Sequence, residues 1–114
     1  MAKKNKNGGG PPRIVGDFSR YFGEDTLENW QRLCRDIGIN KDLPNIKTCK
    51  KILRGVHVNI FDLLEAVQKG TQPKRFRNAD QLAEYSVANR KIYPRRYVKK
   101  ESAGPVRVLL RLFF

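Results

Sequence analysis

The sequence predicts an all-α protein, folded as a single compact bundle of four to six short helices behind a disordered basic N-terminal arm. Apolar residues recur at intervals of three and four in several segments, which is the spacing of one helical face. Gly, Pro and Asn residues typical of helix ends separate those segments. The length of 114 residues suits one domain. We therefore divide the chain into an arm, residues 1–12, and a helical domain, residues 13–114.

The arm combines Lys, Asn, Gly and Pro, and it has no apolar residue after Ala2. Such a segment buries too little apolar surface to offset the loss of chain entropy, so we expect it to be disordered. Asp17 is then the predicted cap of a short helix that places three aromatic residues on the core. These are Phe18, Tyr21 and Phe22.

The next helix has the clearest signals. Asp25 is its predicted N-cap, Glu28 completes a capping-box pattern, and Gly38 is the expected stop. Its apolar residues all fall on one helical face. They are Leu27, Trp30, Leu33, Cys34 and Ile37.

Four further helices follow from the same reasoning. Pro44 or Asn45 opens one, and Asn59 caps another that ends at Gly70. Another begins with the capping-box pair Asn78 and Gln81 and ends before Pro94. The last begins at Pro105, which suits the first position of a helix. The predicted core comprises Leu27, Trp30, Leu33, Ile37, Ile52, Leu53, Leu63, Leu64, Leu82, Leu109, Leu110 and Phe113.

The net charge of +13 is unevenly distributed along the chain. Residues 74–114 hold eleven basic and three acidic side chains, whereas residues 17–37 hold three basic and five acidic ones. This polarity predicts a polyanionic partner, or self-association of unlike faces. The alternative is that the surplus positive charge serves only to keep a small protein in solution.

We expect a non-enzymatic protein that binds nucleic acid or another polyanion. Its candidate site comprises a cationic stripe on the helix that Pro44 or Asn45 opens, a basic loop, and the segment at residues 90–100. Arg and Lys suit phosphates, and Tyr93 and Tyr97 suit stacking on unpaired bases. Alternatively, these two tyrosines anchor an irregular loop on the helices. The candidate residues are Lys47, Lys50, Lys51, Arg54, Lys74, Arg75, Arg77, Arg90, Lys91, Tyr93, Arg95, Arg96, Tyr97, Lys99 and Lys100.

Other site classes find little support. A helix-turn-helix would make the Asn59-capped helix the DNA reader, and Asp62 and Glu65 on that helix disfavour contact with phosphates. The sole histidine, His57, lies in a predicted turn where a structural hydrogen bond is the usual role. We expect no catalytic residue, no metal site and no cofactor.

Cys34 and Cys49 lie on apolar helix faces, so we expect reduced, buried thiols, with a disulfide between neighbouring helices as the alternative.

No apolar run is long enough to span a bilayer. The N-terminal residues also lack the apolar stretch of a secretory signal. We expect an intracellular protein of the nucleus or cytoplasm with no membrane partner.

Three stretches resemble small basic proteins of filamentous fungi: WQRLCRDIGI, TCKKILRGVHVNIFDLLEAV and RKIYPRRYVKKESAGPVRVLLR. The resemblance covers most of the chain after the arm. It implies a compact helical shape and a lineage, and it assigns no activity or site.

The alternative to nucleic-acid binding is an α-helical interaction adaptor that binds an acidic protein. The sequence leaves the oligomeric state open.

Overall fold

The computed structural model describes residues 12–100 and 104–110, except for the side chains of residues 98–100 and 110. The described residues form a compact all-helical globule without strands, as predicted. The predicted disordered arm lies outside the described residues apart from Pro12. The helices are α1 Arg13–Phe22, α2 Leu27–Ile37, α3 Ile46–Leu53, α4 Ile60–Lys69, α5 Ala79–Ala88, α6 Arg95–Lys100 and α7 Pro105–Leu110.

Helix α1 begins earlier than predicted. Pro12 occupies its N-cap with a φ of −55°, so Asp17 lies within the helix and is not its cap. Asp17 instead forms ion pairs with Arg20 and Arg13, one turn away on either side. The prediction that the aromatic residues face the core is confirmed for Phe18 and Phe22, both of which are buried.

The N-cap of α2 is Thr26, one residue after the predicted Asp25. The Thr26 Oγ1 accepts a hydrogen bond from the Asn29 backbone N–H at 3.2 Å. Asp25 Oδ1 accepts the indole N–H of Trp30 at 2.6 Å. Asp25 does not cap α2 because its carboxylate is engaged by the buried indole, which needs a hydrogen-bond acceptor.

The asparagine caps are confirmed at three helices. The side chains of Asn45, Asn59 and Asn78 each accept a hydrogen bond from the backbone three residues later. The predicted capping box at α5 is shifted, because the Gln81 side chain accepts from the Arg77 N–H rather than from that of Asn78. Gly38 ends α2 with a φ of 102°, a conformation that favours glycine.

The core joins α1, α2, α3, α4 and α7. Seven of the twelve predicted core residues are buried, and Leu27, Ile52 and Leu64 are half-buried against them. The side chains of Leu110 and Phe113 lie outside the described part of the chain. The prediction missed the buried residues of the loops between helices, because a periodic pattern detects only regular elements. Among them are Ile39, Leu43, Val58 and Tyr93.

Two short helices close the described chain. Helix α7 begins at Pro105 as predicted. Helix α6 was not predicted, since its sequence RRYVKK has four cations in one and a half turns and no helical apolar face. Half-buried Tyr97 packs α6 on the core, and α6 and α7 contact each other.

Both cysteines are free and fully buried, as the favoured prediction stated. They lie on α2 and α3, which pack together. Burial, and then the neighbouring Cys49, raises the pKa of Cys34 to about 12. Because only the thiolate is nucleophilic, the Cys34 thiol is unreactive at neutral pH.

Candidate polyanion-binding surface

The stripe on α3 faces away from the core. Cys49 and Leu53 are fully buried, which fixes the helix so that Lys47, Lys51 and Arg54 are exposed. Among the described residues, no carboxylate lies within ion-pair distance of Lys47, Lys50 or Lys51. The second lysine of the row, Lys50, is half-buried, and its Nζ lies 5.3 Å from the centre of the Trp30 ring.

The basic loop at residues 74–77 lies beside the end of this stripe. An isolated antiparallel β-bridge pairs Arg75 with Val58, and the Phe76 N–H donates to the His57 carbonyl at 2.8 Å. Val58 follows Arg54 by only four residues, so these contacts bring two separate cationic segments to the same part of the molecule. This bond involves the His57 backbone, so the structural role expected of its side chain stays a prediction.

The loop also holds an aromatic pair. The rings of Phe76 and Tyr85 have centroids 4.9 Å apart at an interplanar angle of 43°, and both are half-buried. Two ammonium groups flank the pair, with Lys74 Nζ 5.0 Å from the Phe76 ring and Lys91 Nζ 5.5 Å from the Tyr85 ring. Half-buried aromatic rings beside cations keep part of their surface exposed, and that surface is suited to contact with an unpaired base.

Tyr85 was absent from the predicted site. Its position on α5, three residues after Leu82, predicted an inward-facing side chain. Its contact with Phe76 depends on the β-bridge at Arg75, for which the sequence offers no signal. Phe76 was likewise absent from the predicted site.

Tyr93 requires the main correction. It was predicted to stack on bases, yet it is 4% exposed and belongs to the hydrophobic core. Its ring therefore has no open face, and its role is the anchoring one considered as the alternative. Tyr97 is half-buried, and the guanidinium carbon of Arg96 lies 5.7 Å from the centre of its ring.

Lys91 was predicted to bind a polyanion, and this prediction is also corrected. Its Nζ pairs with Asp62 Oδ1 at 2.7 Å and lies 3.2 Å from the Tyr85 hydroxyl. The hydrogen bonds to Asp62 and to Tyr85 raise the pKa of Lys91, so it stays protonated with its charge compensated. Its contribution is to hold the Tyr85 ring, since the same ammonium lies over that ring.

The remaining cations of residues 90–100 are divided between a turn and α6. Arg90 has a φ of 55°, and the turn directs its chain from α5 toward α6. Arg90, Arg95 and Arg96 are exposed. Lys99 and Lys100 lie in α6, and their side chains are outside the described residues.

Helix α7 contacts both α3 and α6, so the helices that bear the two largest cation groups flank it. Arg107 on α7 is exposed. Arg107 was not among the predicted site residues. We call the combined set of exposed or half-exposed cations the basic surface: Lys47, Lys50, Lys51, Arg54, Lys74, Arg75, Arg77, Arg90, Arg95, Arg96 and Arg107.

Few acidic side chains oppose the basic surface. Among the described residues, no carboxylate is within ion-pair distance of Lys74, Arg75, Arg77, Arg90 or Arg96. Like charges held in this way repel one another in the absence of an anion. The arrangement has the chemistry of phosphate contact, in which each cation adds attraction without reading base identity.

No helix in the described part of the chain is long and apolar enough to cross a membrane. No family model, curated protein or solved structure matches the chain significantly. The resemblance to fungal proteins and the intracellular location stay predictions.

Proposed function

We propose that this protein is a non-enzymatic module that binds nucleic acid, largely without sequence preference, through the basic surface. The aromatic pair Phe76 and Tyr85 carries the proposal, because it sits among cations of the loop and offers partly open rings. A charge cluster alone suits any polyanion, whereas base stacking is particular to unpaired nucleic acid. The proposed ligand is therefore single-stranded nucleic acid.

The absence of sequence preference follows from the kinds of side chain involved. Lys and Arg on the basic surface suit phosphates, and each ring accepts any base. The helix that would read a DNA groove in a helix-turn-helix is α4, and it carries Asp62 and Glu65. Asp62 is engaged with Lys91, and Glu65 with Lys69, so neither is arranged to accept from a base.

The first test is a filter-retention assay with single-stranded RNA, single-stranded DNA and a duplex at several salt concentrations. With about six phosphate contacts, the logarithm of the association constant should fall with the logarithm of salt concentration with a slope of about −4. Single strands should be retained in about 0.15 M salt and bind more tightly than the duplex. Failure to retain any of the three under those conditions would falsify the proposal.

A matched pair of triple variants separates this surface from general charge. Lys74→Gln, Arg75→Gln and Arg77→Gln together remove three cations from the loop, which should reduce the salt slope by about 2 and weaken binding at least tenfold. The control combines Arg13→Gln, Arg20→Gln and Lys69→Gln. It removes the same charge from cations that pair with carboxylates, and it should bind as the unchanged protein does.

A further variant tests the rings. Phe76→Leu keeps an apolar side chain against Tyr85 but loses one aromatic face, so the preference for single strands over duplex should fall about fivefold or more. Polyglutamate serves as the competing polyanion. Tight binding of polyglutamate with no retention of nucleic acid would instead support the interaction adaptor that binds an acidic protein.

A further inference from the structure

A cavity of about 300 Å³ lies between the start of α4, helix α5 and the chain that follows α5. Its walls are mainly apolar and include Ile60, Phe61 and Leu82. Small-molecule sites have this character, and a volume of about 300 Å³ is at the lower end of their range. The cavity does not include the side chains of the loop at residues 74–77, so it is separate from the aromatic pair.

The same cavity has an exposed apolar margin. Val87 is 64% exposed and Ile92 is 57% exposed, and both residues line the cavity. They are the large hydrophobic side chains that the described part of the chain leaves open to solvent. An apolar hollow that continues into an apolar margin on a protein of net charge +13 is the pattern of a binding site.

One polar side chain in the cavity has unused hydrogen-bonding capacity. Ser86 lines the cavity and is 5% exposed. Its Oγ accepts a hydrogen bond from Asn59 Nδ2 at 2.9 Å, while no acceptor for its own hydroxyl proton occurs among the described residues. A buried hydroxyl that keeps its proton can donate to a ligand oxygen.

Asn59 gives this hydroxyl a fixed position. The Asn59 Nδ2 also donates to the Lys91 carbonyl at 2.9 Å, and its Oδ1 accepts from the Asp62 N–H. The hydrogen-bonding groups of the Asn59 side chain are thus engaged. They fix the Ser86 hydroxyl of α5 relative to the start of α4 and to the backbone at Lys91. Two cations also line the cavity. The ammonium of Lys91 is engaged by Asp62 and Arg95 is exposed to solvent, so the buried part of the lining is apolar apart from Asn59 and Ser86.

We propose that this cavity binds a small, neutral, apolar molecule that carries one carbonyl oxygen, and that Ser86 donates a hydrogen bond to that oxygen. The volume admits about ten heavy atoms at roughly 30 Å³ each. A carboxylate would have to lose its hydration inside apolar walls, which favours the neutral carbonyl. The cavity shares Arg95 with the basic surface, but the proposed ligand binding does not depend on nucleic-acid binding.

The probe is 1-indanone, a bicyclic ketone of the required size, and its partner is indane, which has the same ring system without oxygen. Backbone amide NMR of the unchanged protein should show binding of 1-indanone with a dissociation constant of about 1 mM or below. The shifted signals should come from residues 58–61 and 82–95. Shifts confined to other regions, or none at millimolar concentration, would overturn the proposal.

Ser86→Ala isolates the hydrogen bond. In the unchanged protein 1-indanone should bind about threefold to tenfold more tightly than indane, and in the variant that ratio should approach one. A ratio near one in the unchanged protein would refute the assigned role of Ser86. Tighter binding of 1-indanecarboxylate than of 1-indanone would overturn the choice of a neutral ligand.

Filling the cavity provides a second variant. Ala83→Phe adds a ring to a residue that lines the hollow and should abolish binding of both probes, whereas Ala88→Phe adds the same ring to an exposed position outside it. Retained binding in Ala83→Phe, with a folded amide spectrum, would exclude this cavity as the site. Should Ala83→Phe not fold, the ketone-to-indane ratio in Ser86→Ala decides.

Discussion

The two ends of the described chain differ in what their charged side chains do. In residues 13–37, Asp17 pairs with arginines, Asp25 accepts the Trp30 indole N–H, and Asp36 accepts the Tyr21 hydroxyl. In residues 74–96, exposed cations such as Arg75 and Arg90 have no carboxylate within ion-pair distance among the described residues.

The difference separates a structural region from a region available for binding. Helix α2 buries four side chains completely, and the carboxylates of Asp25 and Asp36 are occupied by internal contacts. The region that follows residue 73 leaves cations, a partly open aromatic pair and an apolar cavity at the surface. Stability and binding should therefore respond to substitutions in different parts of the chain.

The largest contrast is expected between Leu33→Ala and Val87→Ala. Leu33 is fully buried, so its truncation leaves a cavity and should lower the free energy of unfolding by about 3 kcal/mol. Val87 is 64% exposed, and its truncation should change stability by less than ~0.5 kcal/mol. Urea unfolding followed by far-UV circular dichroism measures both. Equal effects would show that the two regions contribute alike to stability.

Asn59 joins the start of α4 to the second region, and Asn45 is its control. Asn59→Ala removes the α4 cap and leaves the Ser86 hydroxyl and the Lys91 carbonyl without their buried donor, at a cost of about 2–3 kcal/mol. Asn45→Ala removes only an exposed cap and should cost about 1 kcal/mol. The same urea experiment distinguishes them. Similar losses would mean that the buried contacts of Asn59 add nothing.

Alkaline pH should weaken the first region through Tyr21. Burial, followed by the hydrogen bond to Asp36, raises the pKa of Tyr21 above its usual value of 10.0. The folded state therefore favours the neutral phenol, and this stabilisation is complete below pH 10 and is lost as the pH rises beyond it. Between pH 10 and 11 the loss should approach ~1 kcal/mol.

Tyr21→Phe provides the comparison for this pH dependence. Cys34 and Lys91 also have raised pKa values, so they add to the decline in the same direction. The variant should therefore lose stability less steeply than the unchanged protein does above pH 10, although it remains pH-dependent. Thermal unfolding from pH 8 to 11 measures the two slopes, and parallel slopes would exclude a contribution from Tyr21.

The smallest effect concerns the like charges on α3. Lys47 and Lys51 are exposed and one turn apart, so Lys51→Gln should raise the stability by about 0.3 kcal/mol at low salt. Lys69→Gln is the matched change at a lysine that pairs with Glu65, and it should lower stability instead. Both effects should shrink in 1 M salt. The same sign for both variants would contradict the proposed contrast.

The sequence predicted the helical elements best, because their signals are local. The caps Asn45, Asn59 and Asn78 and the stop at Gly38 act within one turn, and each was found where the pattern indicated. Where two capping residues are adjacent, as with Asp25 and Thr26, the choice depends on the distant demand of a buried indole. Local patterns do not contain that information.

The candidate site depended on tertiary contacts that the sequence does not encode locally. Exposed cations such as Lys47 and Arg75 were recognisable by composition and spacing. The burial of Tyr93 and the engagement of Lys91 by Asp62 were not, since the partners are distant in the chain. The pairing of Phe76 with Tyr85 was likewise hidden because it depends on the bridge between Val58 and Arg75.

The indole at the centre of α2 gives the protein an intrinsic optical reporter. Trp30 is the sole tryptophan, its ring is shielded from water, and the ammonium of Lys50 lies 5.3 Å from its centre. An anion that draws Lys50 away alters the electric field at the ring, and the emission wavelength of the unlabelled protein moves with it. Occupancy of the α3 stripe can thus be followed by ultraviolet fluorescence without attaching a dye to either molecule.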